Sequence, residues 1–124
     1  MSSNKKILII DDEKINIMAL AHFLTPQYEI LIAKNGELGL KAAEKHIPDL
    51  ILLDIIMPEM DGYEVLKKLK ESDVTKNIPV IFISGLANTG ENNEKDNLQG
   101  AVDYISKPFD KDIVKDKINS FFNL

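Results

Sequence analysis

The sequence has 124 residues, of which 44% are hydrophobic and 28% charged, and these proportions are typical of a soluble globular domain. Cysteine is absent, which excludes disulfides, thiolate metal sites and a cysteine nucleophile. The net charge is -5 and every strongly basic residue is lysine, so direct binding of nucleic acid, for which arginine is favoured, is not expected.

No apolar run reaches the roughly 18 residues of a membrane-spanning helix, so no membrane insertion is expected. Residues 1–6 lead into an apolar stretch that is too short for a signal peptide. We therefore expect a single domain over residues 1–124, located in the cytoplasm.

Five short runs of aliphatic and β-branched residues predict strands, and several of them are apolar throughout rather than alternating. Such runs are typical of a parallel sheet that is covered on both faces. The predicted strands are residues 6–10, 28–32, 50–53, 79–83 and 102–105.

The stretches between these strands are long enough for helices, predicted at residues 13–24, 36–46, 62–72 and 110–122. The fourth connection, residues 86–100, is polar and rich in asparagine, so we expect only a short, loosely packed and mobile helix there. Alternating strands and helices with right-handed crossovers predict an α/β fold, a doubly wound (βα)5 sheet of three layers.

Polar or charged side chains follow four of the five predicted strands. Ligands of an open parallel sheet bind beyond the carboxyl ends of its strands. The first strand is followed by Asp11 and Asp12, the third by Asp54, the fourth by Ser84 and the fifth by Lys107. The second strand is followed by no such acid or hydroxyl, and we expect it at the margin of the sheet.

Three carboxylates at one edge repel one another, by about 3 kcal/mol for a pair ~5 Å apart. A hard cation or the Lys107 ammonium group would offset this repulsion, and oxygen ligands favour Mg²⁺ or Mn²⁺ over Zn²⁺. A cation with a hydroxyl and an ammonium group can bind a phosphoryl group, and a carboxylate can be its nucleophile. The residues therefore indicate a site that could form an aspartyl phosphate.

The order and spacing of these residues resemble the receiver domain of bacterial two-component response regulators. The resemblance is carried by Asp11-Asp12, by Asp54 with residues 55–62, by Ser84 and by Lys107-Pro108-Phe109. It spans essentially the whole chain and implies a flavodoxin-like strand order of 2-1-3-4-5. It also implies a regulatory domain, not an enzyme, that assists its own phosphorylation and dephosphorylation. The phosphoryl donor would be a sensor histidine kinase or a phosphotransfer protein.

The resemblance further implies that Asp54 accepts the phosphoryl group. Asp12 and Asp54 would bind Mg²⁺ directly. Asp11 would act mainly through water, and the backbone carbonyl of Ile56 would be a further ligand of the ion.

Other residues would contact the phosphoryl group or respond to it. Ser84 would donate a hydrogen bond to it and Lys107 would pair with it. A cis peptide bond between Lys107 and Pro108 would orient the lysine. Tyr104 falls where the family carries its switch aromatic. Phosphorylation would change the surface formed by the weak helix, at about residues 90–99, with the last strand and last helix, and so control an unidentified downstream protein or output domain.

Two departures from the family pattern predict a long-lived phosphoryl group. The positions two residues after Asp54 and two after Ser84 hold Ile56 and Leu86, where many members carry polar side chains. Apolar groups there should crowd the attacking water and offer it no hydrogen bond.

Each residue also has a simpler structural interpretation. Asp11 and Asp12 could cap the following helix. Asp54 could be a turn residue at a strand end, and Ser84 could be a strand-end hydroxyl that bonds to backbone. Lys107 could be a solvated surface lysine. Three alternative functions remain: an aspartate-nucleophile phosphohydrolase, a fragment of a larger regulator or hybrid kinase, and a degenerate receiver that binds partners without phosphorylation. Such phosphohydrolases commonly carry an acid two residues after the nucleophile, where this chain has isoleucine.

Overall fold

The computed structural model describes residues 5–85 and 100–123. The elements are, in chain order, β1 (Lys6–Ile10), α1 (Lys14–Leu24), β2 (Glu29–Ala33), α2 (Gly36–His46), β3 (Leu50–Asp54), α3 (Gly62–Glu71), β4 (Val80–Ser84), β5 (Asp103–Ser106) and α4 (Lys111–Phe122). Their ends differ from the predicted ones by at most one residue. The helix predicted within residues 86–100 lies almost entirely outside the described residues. None of the helices in the described part combines the length and hydrophobicity needed to cross a membrane.

All five strands pair in parallel, in the order β2-β1-β3-β4-β5. The predicted α/β fold and its 2-1-3-4-5 order are therefore confirmed, and β2 lies at the margin as expected. The central strands β3 and β4 are buried at every residue. The edge strands β2 and β5 are only partly buried, because each has a neighbouring strand on one side alone.

The sheet separates two apolar cores. Helices α2 and α3 pack on one face, and α1 and α4 pack on the other. Successive residues of β1 enter opposite cores: Ile7 and Ile9 join one, and Leu8 and Ile10 join the other. This two-sided burial explains why the run is apolar throughout, since each buried side chain contributes about 1.5–3 kcal/mol.

The loop between β3 and α3 folds back tightly onto the end of β3. The Gly62 N–H donates a hydrogen bond to the Ile55 carbonyl oxygen at 2.7 Å. A Cβ atom at Gly62 would lie 2.7 Å from the Ile55 Cα and would collide with the Asp54 carbonyl oxygen. Because only glycine fits this close approach, the loop holds the start of α3 directly against Asp54.

Candidate functional site

The carboxyl ends of β1 and β3 bring three predicted site residues together. Asp11 is fully buried, Asp54 is 2% exposed and Asp12 is exposed. One carboxylate oxygen of each lies within 4.8 Å of the others. These three side chains thus form a carboxylate cluster at the edge of the sheet where one was expected.

The Lys107 ammonium group lies beside these carboxylates. It donates a hydrogen bond to Asp54 Oδ1 at 3.2 Å, and its Nζ lies 3.8 Å from Asp11 Oδ2. The Lys107 side chain is 19% exposed, so its interpretation as a solvated surface lysine is wrong. Its backbone N–H donates to the Ser84 carbonyl oxygen at 2.8 Å. This bond joins the end of β5 to the end of β4 and places the lysine at the site.

Glu13 is a further contact of Lys107 that was not predicted from the sequence. Its Oε1 lies 3.5 Å from Lys107 Nζ and accepts a hydrogen bond from Asn16 Nδ2 at 2.9 Å. Its backbone N–H donates to Asp11 Oδ1 at 2.9 Å. Glu13 is the N-cap residue of α1, so the interpretation of Asp11 and Asp12 as helix caps is wrong. No local pattern indicates this contact, because Glu13 and Lys107 lie far apart along the chain.

Two buried carboxylate oxygens, Asp11 Oδ2 and Asp54 Oδ2, accept no hydrogen bond from the residues that the structure describes. The other Asp54 oxygen, Oδ1, accepts a hydrogen bond from Lys107 and, at 3.4 Å, one from the Ile56 N–H. A buried carboxylate oxygen without a partner is costly, and a hard divalent cation satisfies such an oxygen. With the exposed Asp12 as a third ligand, the donor set fits Mg²⁺.

The excess of negative charge shifts the protonation equilibria of the site. Burial raises the pKa of the Asp54 carboxyl group to about 7, repulsion by Asp11 adds to this shift, and Lys107 opposes it. Burial alone would lower the pKa of Lys107, but attraction to Asp54 and Asp11 outweighs it and raises that pKa. One ammonium group therefore does not neutralise the cluster, and binding a proton or a cation stabilises it.

Ser84 and Tyr104 lie on neighbouring strands. Ser84 is fully buried at the end of β4, paired in register with Ser106 of β5. Tyr104 is partly buried and packs against the core that contains α2 and α3. The Lys117 Nζ lies 5.2 Å from the centre of the Tyr104 ring. The proposed switch aromatic therefore has one side on the core and a cation near its ring.

Three remaining predicted features concern the loops. The peptide bond between Lys107 and Pro108 is cis. The Ile56 side chain is 57% exposed, in the loop that follows Asp54. Leu86, the second apolar residue expected near the site, lies outside the described residues.

Comparison with known proteins identifies the family of this chain. A family model described as the response regulator receiver domain matches residues 7–119. The chain therefore belongs to the response regulator receiver domain family. Receiver domains are regulatory domains of two-component systems and interact with histidine kinases or phosphotransfer proteins.

Individual relatives differ in how much of their length the chain matches. It is 40% identical over 114 residues to the "Probable cyclic di-GMP phosphodiesterase" of Vibrio cholerae serotype O1, covering 92% of this chain and 26% of that protein. It is 38% identical to sporulation initiation phosphotransferase F of Bacillus subtilis, covering 98% of this chain and 96% of that protein. The chain thus spans about a quarter of the first relative and nearly all of the second.

A solved structure has the same fold. The receiver domain of sensor histidine kinase PA1611 from Pseudomonas aeruginosa PAO1 superposes with a TM-score of 0.85 at 23% identity. The match covers 98% of this chain and 100% of that one. In that crystal structure a magnesium ion is coordinated in the active site cleft.

Proposed function

We propose that this receiver domain accepts a phosphoryl group on Asp54 in the presence of Mg²⁺ or Mn²⁺. One observation carries the proposal: the buried Asp54 carboxylate contacts Lys107 at 3.2 Å while its other oxygen has no hydrogen-bond partner among the described residues. Burying a charged pair that is only partly satisfied is costly, and well-packed apolar residues would be at least as stabilising. A chemical role for Asp54 explains why the charge is there.

Asp12 and Asp54 would hold the cation directly, and Asp11 would act through water. The Ile56 backbone carbonyl would be a further ligand. The buried oxygens of Asp11 and Asp54 that accept no hydrogen bond from the described residues support a cation at this cluster. When bound, the cation would supply positive charge that offsets the carboxylate repulsion and the charge of the transferred group.

In the proposed step, an Asp54 carboxylate oxygen attacks the phosphorus atom of a phosphohistidine. An oxygen–phosphorus bond forms and the phosphorus–nitrogen bond breaks. The electron pair of the broken bond stays on the imidazole nitrogen, which takes up a proton from water. Lys107 would then pair with one phosphoryl oxygen, and the Ser84 hydroxyl would donate a hydrogen bond to another. The domain contributes mainly positioning and charge neutralisation.

The proposed partners are proteins. The donor would be a sensor histidine kinase or a phosphotransfer protein in the cytoplasm, and a downstream protein or output domain would respond. We propose that Tyr104 transmits the change to the surface formed by β5, α4 and residues 90–99, the last of which lie outside the described residues. Direct nucleic-acid binding and membrane insertion form no part of the proposal. A single domain over residues 1–124 remains our expectation.

The proposal is tested by incubation with Mg²⁺ and acetyl phosphate, followed by intact mass measurement. The wild type should gain the mass of one phosphoryl group, and Asp54→Asn should gain none. Mn²⁺ should replace Mg²⁺, and EDTA should abolish the gain. Asp61→Asn is the matched control, because Asp61 caps α3 by accepting from the Glu64 N–H and asparagine can do the same.

Two outcomes would contradict the proposal. One is an unmodified wild type with every acyl phosphate tried. The other is the same mass gain in Asp54→Asn as in the wild type. Steady release of phosphate from p-nitrophenyl phosphate would instead favour the phosphohydrolase, although Ile56 occupies the position of its second acid.

A further inference from the structure

Lys107 is shared by three carboxylates that differ in their exposure to solvent. Its Nζ lies 3.2 Å from Asp54 Oδ1, 3.8 Å from Asp11 Oδ2 and 3.5 Å from Glu13 Oε1. The side chains of Asp54 and Asp11 are buried, whereas that of Glu13 is 65% exposed. Glu13 therefore contacts the ammonium group from the solvent side, where a phosphoryl donor would enter.

The Glu13 carboxylate is held in place by more than Lys107. Its Oε1 accepts a hydrogen bond from Asn16 Nδ2, one turn further along α1, at 2.9 Å. Its backbone is fixed by the hydrogen bond from its N–H to Asp11 Oδ1 at 2.9 Å. The negative charge of Glu13 thus has a defined position next to Lys107 rather than that of a freely moving surface side chain.

We propose that Glu13 is a positioning residue that holds the Lys107 ammonium group at the entrance of the site and releases it when a phosphoryl group arrives. The inference rests on the function proposed above. Glu13 and a phosphoryl oxygen compete for the same Lys107 ammonium group. The Glu13 charge also repels an incoming phosphate dianion. Both effects slow phosphorylation by small anionic donors, and both weaken as salt screens the charges.

The substitution Glu13→Gln tests the inference, because glutamine keeps an oxygen that can accept from Asn16 while it removes the charge. At low ionic strength, the second-order rate constant for Mg²⁺-dependent phosphorylation by acetyl phosphate should rise roughly three- to tenfold. The gain should shrink in about 0.5 M salt, where the screening length is only a few ångströms.

The matched control is Glu37→Gln. Glu37 lies in the first turn of α2, is 74% exposed and pairs with Lys41, so its loss changes the net charge by the same amount without touching Lys107. Its rate constant should stay at the wild-type value. Equal acceleration in both variants, or no acceleration in Glu13→Gln at low salt, would overturn the inference.

A second measurement does not depend on phosphoryl transfer. The ¹⁵N NMR signal of the Lys107 ammonium group, assigned by its loss in Lys107→Met, should shift in metal-free Glu13→Gln and stay unchanged in Glu37→Gln. If the wild type is phosphorylated but this signal does not respond, only the inference about Glu13 fails. If the wild type is never phosphorylated, the proposed function fails, and the inference fails with it.

Discussion

Asp54 and Lys107 form an ion pair of a different kind from those on the surface. Lys76 and Asp73 also pair at 3.1 Å, but their side chains are 49% and 95% exposed, and such pairs contribute little. Asp54 and Lys107 are 2% and 19% exposed, so water screens their charges far less. A change at or next to this buried pair should therefore alter chemistry as well as stability.

Ile56→Asn is expected to shorten the lifetime of the aspartyl phosphate. The Ile56 side chain is 57% exposed, and its N–H lies 3.4 Å from Asp54 Oδ1, so an amide there would be close to the solvent side of the carboxylate. The asparagine amide would orient the attacking water. The rate of hydrolysis of the aspartyl phosphate should rise about fivefold, which corresponds to one hydrogen bond of ~1 kcal/mol. The measurement is phosphate release from the purified phosphoprotein.

Ile47→Asn is the control for this prediction. Ile47 is 49% exposed but precedes β3, at the opposite end of that strand from Asp54. Its substitution should leave the release rate unchanged. Rapid loss of phosphate from the wild type, unaffected by Ile56→Asn, would contradict the argument.

The secondary-structure elements contribute to the site through their ends. Asp54 is the last residue of β3, and α3 begins only eight positions later at Gly62. Asp61 caps α3 by accepting a hydrogen bond from the Glu64 N–H at 2.9 Å. The cap and the close approach of Gly62 together hold α3 against the end of β3. The position of the Asp54 carboxylate therefore depends on this loop and on the helix that follows it.

Gly62→Ala is expected to lower the free energy of unfolding by about 1–3 kcal/mol, because the new methyl group forces α3 away from β3. It should also slow phosphorylation, because Asp54 would shift relative to Lys107. Urea unfolding and the acetyl phosphate rate constant measure the two effects. In Gly85→Ala, the new Cβ would meet, among the residues that the structure describes, only the Lys107 Cδ at 3.9 Å, an ordinary contact. If Gly62→Ala proved as stable as Gly85→Ala, the collision at Gly62 would be relieved without cost, and the prediction would be wrong.

At the scale of the whole molecule, two cores stabilise a site that by itself is destabilising. The central strands are buried on both faces, and helices cover each side. The carboxylate cluster lies at one edge of this sheet, where the pKa of Asp54 is raised to about 7 from its ordinary 3.8. The folded chain therefore binds a proton on the Asp54 carboxylate more tightly than the unfolded chain does. That contribution to stability is complete below about pH 4 and is lost as the pH rises towards about 7.

Asp54→Asn should make the metal-free protein more stable at pH 8 by about 2–4 kcal/mol, because it removes a buried charge. The gain should be smaller at pH 5, where the folded wild type carries the proton. Thermal and urea unfolding in EDTA measure this difference. Added Mg²⁺ should stabilise the wild type more than the variant.

Asp73→Asn removes an exposed charge instead and should change stability little at either pH. A wild type that is at least as stable as Asp54→Asn at pH 8 without metal would contradict the prediction. The comparison thus separates the cost of the buried carboxylate from a general effect of net charge.

Hydrophobic patterning and composition were enough to locate every described strand and helix to within one residue. The signal is clearest for the central strands, because burial on both faces requires unbroken apolar runs. The rule that ligands bind beyond strand ends was enough to select Asp11, Asp12, Asp54 and Lys107. The strand order, in contrast, came from the family resemblance, since apolar runs do not specify which strand lies beside which.

The packing of the folded chain settled which of these groups are buried and which touch. Asp11 and Asp12 are neighbours in sequence, yet one is fully buried and the other exposed, because the chain turns at the end of β1. The contact of Glu13 with Lys107 joins residues 94 positions apart along the chain. Local patterns carry no information about such a distance, because it depends on how the ends of β1 and β5 are brought together by the strands between them.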